Sequence, residues 1–560
     1  MQRGDRRPNR REIIAGGAAA VLTLSGGLGA AATGVATGHV FHDRRGTGRR
    51  RPGDPGVPGV MVSNGRDVVL TDAEGRWRLP ASSHEPIFVI KPRHWTTPTG
   101  PGGVPQIAAG RHDRDATPAV TSGARGPLPI DFALTPEPER AQFAAVLMAD
   151  TQPANAIELD YLSQDIITGV LGSGAAFGIN HGDVVFDELS LYARYLQILG
   201  TTGIPWHHCP GNHDIDREAT GDGSSRDTFK RSFGPRHYAF QYASATFIIL
   251  DNVYYHGHNP ADPNSGRYRG LIGAQQLAFV RNVLANVGRD ELVVLSMHIP
   301  LLNYQNPATA TDNTADRHEL LGLLSRHPRT VSFAGHMHLT EHHYLGTESG
   351  FYGPAPHHHH VLTAASGGWW SGPKDARGIP TADAEDGNPN GYHMLAVDGS
   401  HYTTRFIAAP GKPATQLRAS IERSGQGAAR AASLTAVKAQ QSELVVNVFD
   451  GGPSTRVSYS IAGVTTEPCL MRRLASPDPY VARVFADYAA LQKPWMRPLP
   501  SSHVWRAPLP TALRPGAYRL SVHAEDEYGR RLGTNLLFEV TAPEPAPEGI
   551  SPPHAVQIGK

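Results

Sequence analysis

Cysteine is nearly missing: Cys209 and Cys469 are the whole complement of 560 residues. This excludes a disulfide framework or a thiolate metal site, and the two residues fall in regions that read as different domains, which disfavours a bridge between them. Net charge is also close to nil, at +1, and no Lys/Arg block occurs beyond the N-terminus, which argues against a nucleic-acid partner. A strong membrane-spanning run is absent too. The one long uncharged stretch, residues 13–36, is Gly-rich and weakly hydrophobic. No Ser or Cys nucleophile motif is visible, so a covalent enzyme intermediate is not expected. Glycine (60), proline (46) and histidine (28) are plentiful instead. The first two favour turn-rich β structure with linkers. Histidine without cysteine means that any bound metal has nitrogen and oxygen ligands.

The chain is too long for one hydrophobic core. Residues 1–38 read as an address. Arg3, Arg6, Arg7, Arg10 and Arg11 precede the uncharged stretch, and Asn9-Arg10-Arg11-Glu12-Ile13-Ile14 resembles a twin-arginine signal. The expected destination is outside the cytoplasm, secreted or in the cell envelope, with no transmembrane span in the mature chain. A basic tail with a membrane anchor is the alternative. Residues 39–138 form a linker and short alternating strands with tight turns, as expected of a small β-sandwich. From 139 to 408 apolar strands alternate with amphipathic helices, the pattern of a buried α/β sheet. Residues 409–545 return to short strands and a second β-sandwich, and 546–560 are a Pro-rich tail.

Polar residues follow the apolar strands of the middle region in five clusters. They are Asp150-Thr151-Gln152, His181-Gly182-Asp183, Gly211-Asn212-His213-Asp214, His298, and Gly335-His336-Met337-His338. In open α/β sheets the carboxyl ends of strands meet at one crevice, so these clusters are candidates for a single site.

This ordered series resembles the calcineurin-like metallophosphoesterase family, and the flanking β domains resemble a secreted bacterial three-part version of it, the first one being transthyretin-like. The resemblance implies a four-layer α/β/β/α core and hydrolysis of a phosphate monoester or diester with two divalent or trivalent ions of Mn, Fe or Zn. Such ions, about 3.5–4 Å apart, screen the anionic substrate and generate hydroxide near neutral pH. It also implies a ligand set. Asp150, Gln152, Asp183 and His338 would hold one ion. Asp183, Asn212, His298 and His336 would hold the other, and His213 would protonate the leaving group. The family's acidic partner for that histidine stands three positions after the bridging aspartate, where this chain has Phe186. Asp187 is the substitute, and the usual following arginine is Glu188.

Trp369 and Trp370, in a Gly-rich loop, and Asn390 are expected to contact substrate. His360, in the tract His357–His360, is expected to line the crevice, with extra metal ligation as a lesser reading. The expected partner is a phosphorylated small molecule, glycan or lipid, met by a monomer. Two alternatives remain from sequence: a non-catalytic metal-containing protein that binds glycan or cell wall, and a two-metal hydrolase of another bond.

Overall fold

The computed structural model describes residues 34–81, 85–108, 129–262, 264–411, 414–423, 433–435, 439–511 and 513–542. Most of the expected address (1–33), much of the loop before residue 129 and the Pro-rich tail lie outside them. The last residues of the expected address do not. Residues 35–38 belong to the strand Val35–His42, which pairs with Arg76–Pro80 and Phe132–Pro136, so the folded body begins before residue 39. No helix among the described residues is long and apolar enough to cross a membrane.

The N-terminal strands form a four-stranded and a three-stranded sheet. The middle region is built on two larger sheets. One has five strands in the order Trp206–His208, Phe177–Asn180, Gln142–Met148, Gly391–Asp398, His401–Ala408; its first three are parallel. The other has six, in the order Tyr238–Tyr242, Ala245–Ile249, Leu292–Ser296, Thr330–Ala334, His357–Val361, Glu341–Leu345, and its four central strands are parallel. Strand periodicity sorts the apolar residues. Ala145 and Leu147 share a core with the second sheet, whereas Val146 and Met148 share one with helix residues such as Leu159, Tyr195 and Leu199. Phe177 seals the space between the sheets, with ring centroids 5.3 Å from Phe240 and 5.2 Å from Phe247.

The helical segment that follows the first core strand is interrupted. Ala156–Leu162 is α-helical, Ser163–Ile167 is a π turn, and Thr168–Val170 resumes the α-helix. Asn155 caps the start, accepting from the backbone N–H of Ile157 and Glu158. The widened turn contains buried Asp165, whose carboxylate accepts hydrogen bonds from Arg377 and Asn390.

The C-terminal region carries a four-stranded and a five-stranded sheet over a common core that includes Leu444, Val446, Trp505, Leu520 and Phe538. It also contains a helix, Pro479–Asp487, absent from the all-β expectation. Both cysteines are free.

Candidate functional site

Parallel strands of both sheets end at one crevice, and the residues just past those ends are the polar clusters. The backbone there is bent to positive φ at Asp150 (51°), Gln152 (34°), Asp183 (51°), Asp187 (64°), His336 (73°), His338 (54°), Trp369 (52°) and Trp370 (47°). Among the described non-glycine residues only His94 and Ala243 share that conformation. Each such bend costs about 1–2 kcal/mol, so these loops persist only because their surroundings hold them. The Asp150 N–H donates to Gly182 O at 3.1 Å and the Gln152 N–H to Asp183 O at 3.1 Å. Glycines allow the close approach. A β-carbon on Gly335 would stand 2.4 Å from Asp150 Oδ2, and one on Gly211 would stand 2.1 Å from Asp183 Oδ1.

The carboxylates are fixed by backbone donors. Asp150 accepts from the His336 N–H at 3.0 and 2.9 Å, one to each oxygen, and Asp183 Oδ1 accepts from the His213 N–H at 2.8 Å. Buried Asp214 braces the same loops, accepting from the N–H of Gly211 and Val184 and from the Tyr192 hydroxyl. Burial, assisted by the charge of Asp183, lifts Asp150 to about 7. Burial also acts to raise Asp183, but His298 and His213 overcome it and hold that carboxyl well below the usual range.

His298 Nε2 lies 3.3 Å from Asp183 Oδ1, 2.9 Å from Asn212 Oδ1 and 3.2 Å from His336 Nδ1. Its other nitrogen faces the carbonyl of His181 at 2.9 Å, which fixes the proton on Nδ1 in the neutral ring. Nε2 then points a lone pair at three acceptors, an arrangement that a cation relieves. Without one, a proton takes that place: burial pulls His298 down, but Asp183 outweighs it and carries the ring to about 9. Asp183, His298 and His336 hold their ligand atoms within 4.8 Å of one another, so the donor set fits a metal ion. His336 Nε2 faces Asp312 at 3.8 Å, an outer partner that steadies the ring.

On the other side of Asp183, His338 Nε2 is 3.6 Å from Asp150 Oδ1, and its Nδ1 faces the Gly367 carbonyl at 3.0 Å. Gln152 donates its amide nitrogen to Asp183 Oδ2 at 2.6 Å, and its oxygen accepts from Trp369 Nε1 at 2.6 Å. As a metal ligand it would first have to turn its amide over, leaving the Trp369 N–H.

His213 is directed into the crevice. Its Nδ1 faces Asp187 Oδ1 at 2.8 Å and its Nε2 lies 3.9 Å from Asp183 Oδ2. Burial depresses its pKa, but Asp183 and Asp187 outweigh burial and the net shift is upward.

Three expected substrate contacts are corrected by burial. Trp370 packs in the helix-side core near Tyr161, and Asn390 gives its amide N–H to Asp165 and to the Ala365 carbonyl. His360 is fully buried in the strand His357–Val361, beside Asp450 of the C-terminal region. Its flank pattern of consecutive histidines gave no cue that the strand was central in a sheet. Trp369 does stand at the site, its ring stacked on His338 at 4.2 Å.

A family model for calcineurin-like phosphoesterase matches residues 148–339. Its N-terminal companion matches 44–108 and its C-terminal companion 359–532. The chain belongs to the calcineurin-like phosphoesterases. As a calcineurin-like phosphoesterase it is a metal-dependent phosphoester hydrolase with a dinuclear centre. One similar solved structure is the purple acid phosphatase PPD1 isolated from yellow lupin (Lupinus luteus) seeds. It is 13% identical, with a TM-score of 0.35, over 62% of this chain and 67% of that one. No curated protein matches the chain.

Four residues of this phosphoesterase site were missed from sequence. Asp312 comes from a loop without periodic signal. Arg217 donates from Nε to Asp187 at 3.1 Å and puts a guanidinium beside that carboxylate. Phe186 stacks on His213 at 4.6 Å, and Trp495, from the C-terminal region, stacks on Phe186 at 6.1 Å and meets Trp369 edge-on at 5.6 Å. Only the Arg217 position carried a sequence cue, three residues after the Gly-Asn-His-Asp motif.

Proposed function

We propose that this chain is an exported hydrolase of phosphate monoesters or diesters that works with two ions of Mn, Fe or Zn. Its reading as a four-layer α/β/β/α core between a transthyretin-like domain and a C-terminal β-sandwich rests on the sheet orders and shared cores described above. Export rests only on the N-terminal arginines and the uncharged stretch that follows them, and the working unit is taken to be a monomer.

The observation that carries the reading is the position of Asp183. One oxygen faces His298 at 3.3 Å and the other accepts from Gln152, so a single carboxylate serves both halves of the centre. Asp150, Asp183 and His338, with Gln152 after its amide turns, would hold one ion. Asp183, Asn212, His298 and His336 would hold the other. The ions supply positive charge against the phosphate oxygens and acidify water. His213 does the chain's own proton chemistry: its Nδ1–H donates a hydrogen bond to Asp187, and its Nε2 proton would pass to the leaving oxygen. Arg217, tied to Asp187, keeps that carboxylate ionised and oriented. Trp369, Phe186 and half-exposed Trp495 form an aromatic wall for the organic part of a small-molecule, glycan or lipid phosphate.

Purified protein loaded with each metal should hydrolyse nitrophenyl phosphate or bis(nitrophenyl) phosphate. His213→Ala should lose about 10²–10⁴-fold in kcat at unchanged metal content. Turnover of amide or sulfate esters with none of phosphates would overturn the reading.

A further inference from the structure

Away from the catalytic crevice, three imidazoles converge on one carboxylate oxygen. Asp450 Oδ1 lies 3.3 Å from His342 Nε2, 3.1 Å from His360 Nε2 and 3.2 Å from His393 Nε2. All three histidines are fully buried or nearly so, and Asp450 is only 8% exposed. The donors come from three places. His342 and His360 are cross-strand partners in the six-stranded sheet, with rings stacked at 4.0 Å. His393 lies in the five-stranded sheet, and Asp450 follows the strand Ser442–Val448 of the C-terminal region.

A hydrogen-bonded knot accounts poorly for this arrangement. Both ring nitrogens of His360 are buried without a hydrogen-bond partner among the described residues, although Nε2 stands close to Asp450. Asp450 Oδ2 is likewise buried and unpartnered, while Oδ1 is crowded. Buried polar atoms left this way call for a bound species. Donors bound tetrahedrally at about 2.0–2.2 Å from one centre stand about 3.3–3.5 Å apart, close to the separations from Asp450 Oδ1 to His342 and His360. The ligand atoms of His342, His360 and Asp450 all lie within 4.8 Å of one another.

We propose that His342 Nε2, His360 Nε2 and the Asp450 carboxylate bind a third, structural divalent ion of the zinc class, with Oδ2 completing its shell. The two-imidazole, one-carboxylate set suits borderline ions rather than Mg or Ca. His342 is oriented for the task, its Nδ1 facing His358 Nε2 at 2.9 Å, and His358 Nδ1 in turn faces the Tyr402 hydroxyl at 2.8 Å. His393 donates to Asp450 from the opposite sheet. The ion thus joins the six-stranded sheet to the C-terminal region, with the five-stranded sheet held through His393.

The test uses the full chain carrying Asp150→Ala and Asp183→Ala, which removes a ligand from each catalytic ion. After loading with Zn²⁺ and desalting, elemental analysis should find about one ion per chain, and X-ray absorption should read two imidazoles with carboxylate oxygen around it. Adding His360→Gln should abolish retention. A folded parent that retains no zinc overturns the proposal. So does a retained ion whose shell lacks two imidazoles, a result that stands even if His360→Gln fails to fold.

Discussion

Asp187 sits one position later than the family pattern places its acid, yet it reaches His213 Nδ1 at 2.8 Å because its own backbone turns to a φ of 64°. It is one of the groups that hold His213 above the ordinary imidazole range. The acid form of His213 therefore persists to higher pH than that of a free imidazole, and activity is lost on the alkaline side as the proton leaves. Asp187→Asn removes the charge but keeps the shape. It should lower kcat and move the alkaline limb of the pH–kcat profile to lower pH; an unmoved limb would show that His213 is not the titrating donor. Asp150, at about 7, and His298, at about 9, give a second prediction. Both must be deprotonated to bind metal, so loading at pH 8 displaces chiefly the His298 proton and loading at pH 6 displaces both. Affinity should fall about tenfold per pH unit for each proton displaced, steepening below pH 7. Calorimetry in buffers of different ionisation enthalpy counts these protons directly.

The catalytic crevice belongs to the turns between elements more than to the elements themselves. Gly211 and Gly335 each lie where a methyl group would overlap a ligand carboxylate. Gly211→Ala should therefore displace Asp183 and weaken retention of both ions at least about tenfold, since misplaced ligands of this kind are felt strongly by bound metal. Far-ultraviolet circular dichroism should be nearly unchanged, because the strands on either side are untouched. This is also where the limits of reading the sequence lie. Strand Gln142–Met148 was legible from a continuous apolar run, and the clusters after the core strands were legible as polar residues that meet at one crevice. His360 and Trp370 were not. Strand alternation and loop packing bury them, and neither is encoded in residue type, since histidines and a Gly-rich tryptophan loop read as surface. The π turn at Ser163–Ile167 escaped for a related reason: it accommodates Asp165, whose partners Arg377 and Asn390 lie more than two hundred positions away.

For the molecule as a whole, the C-terminal region is the part that sequence described least well. It was expected to be a second β-sandwich, and neither its helix nor its contacts at the crevice were legible. Trp495 lies beyond that helix and stacks over Phe186, with Gln492 bonded to Ser371 and the Arg497 N–H bonded to Glu385. These contacts bring the segment onto the Trp369 loop. Trp495→Ala should raise KM about tenfold for an ester with an aromatic or sugar group and leave KM for a short alkyl phosphate nearly unchanged, the loss being one stacking surface. Equal losses for both esters would mean that the tryptophan acts on the metal loops instead.

That wall also has a place in time. All seven candidate ligands have been translated by His338, whereas Trp495 follows more than 150 residues later. A nascent chain interrupted between the two, or a proteolytic fragment ending there, would carry the full set of metal-binding side chains beneath an uncovered opening. On the function proposed above, discrimination among esters would then be acquired after metal binding as the polypeptide is made, and lost before it on cleavage from the far end.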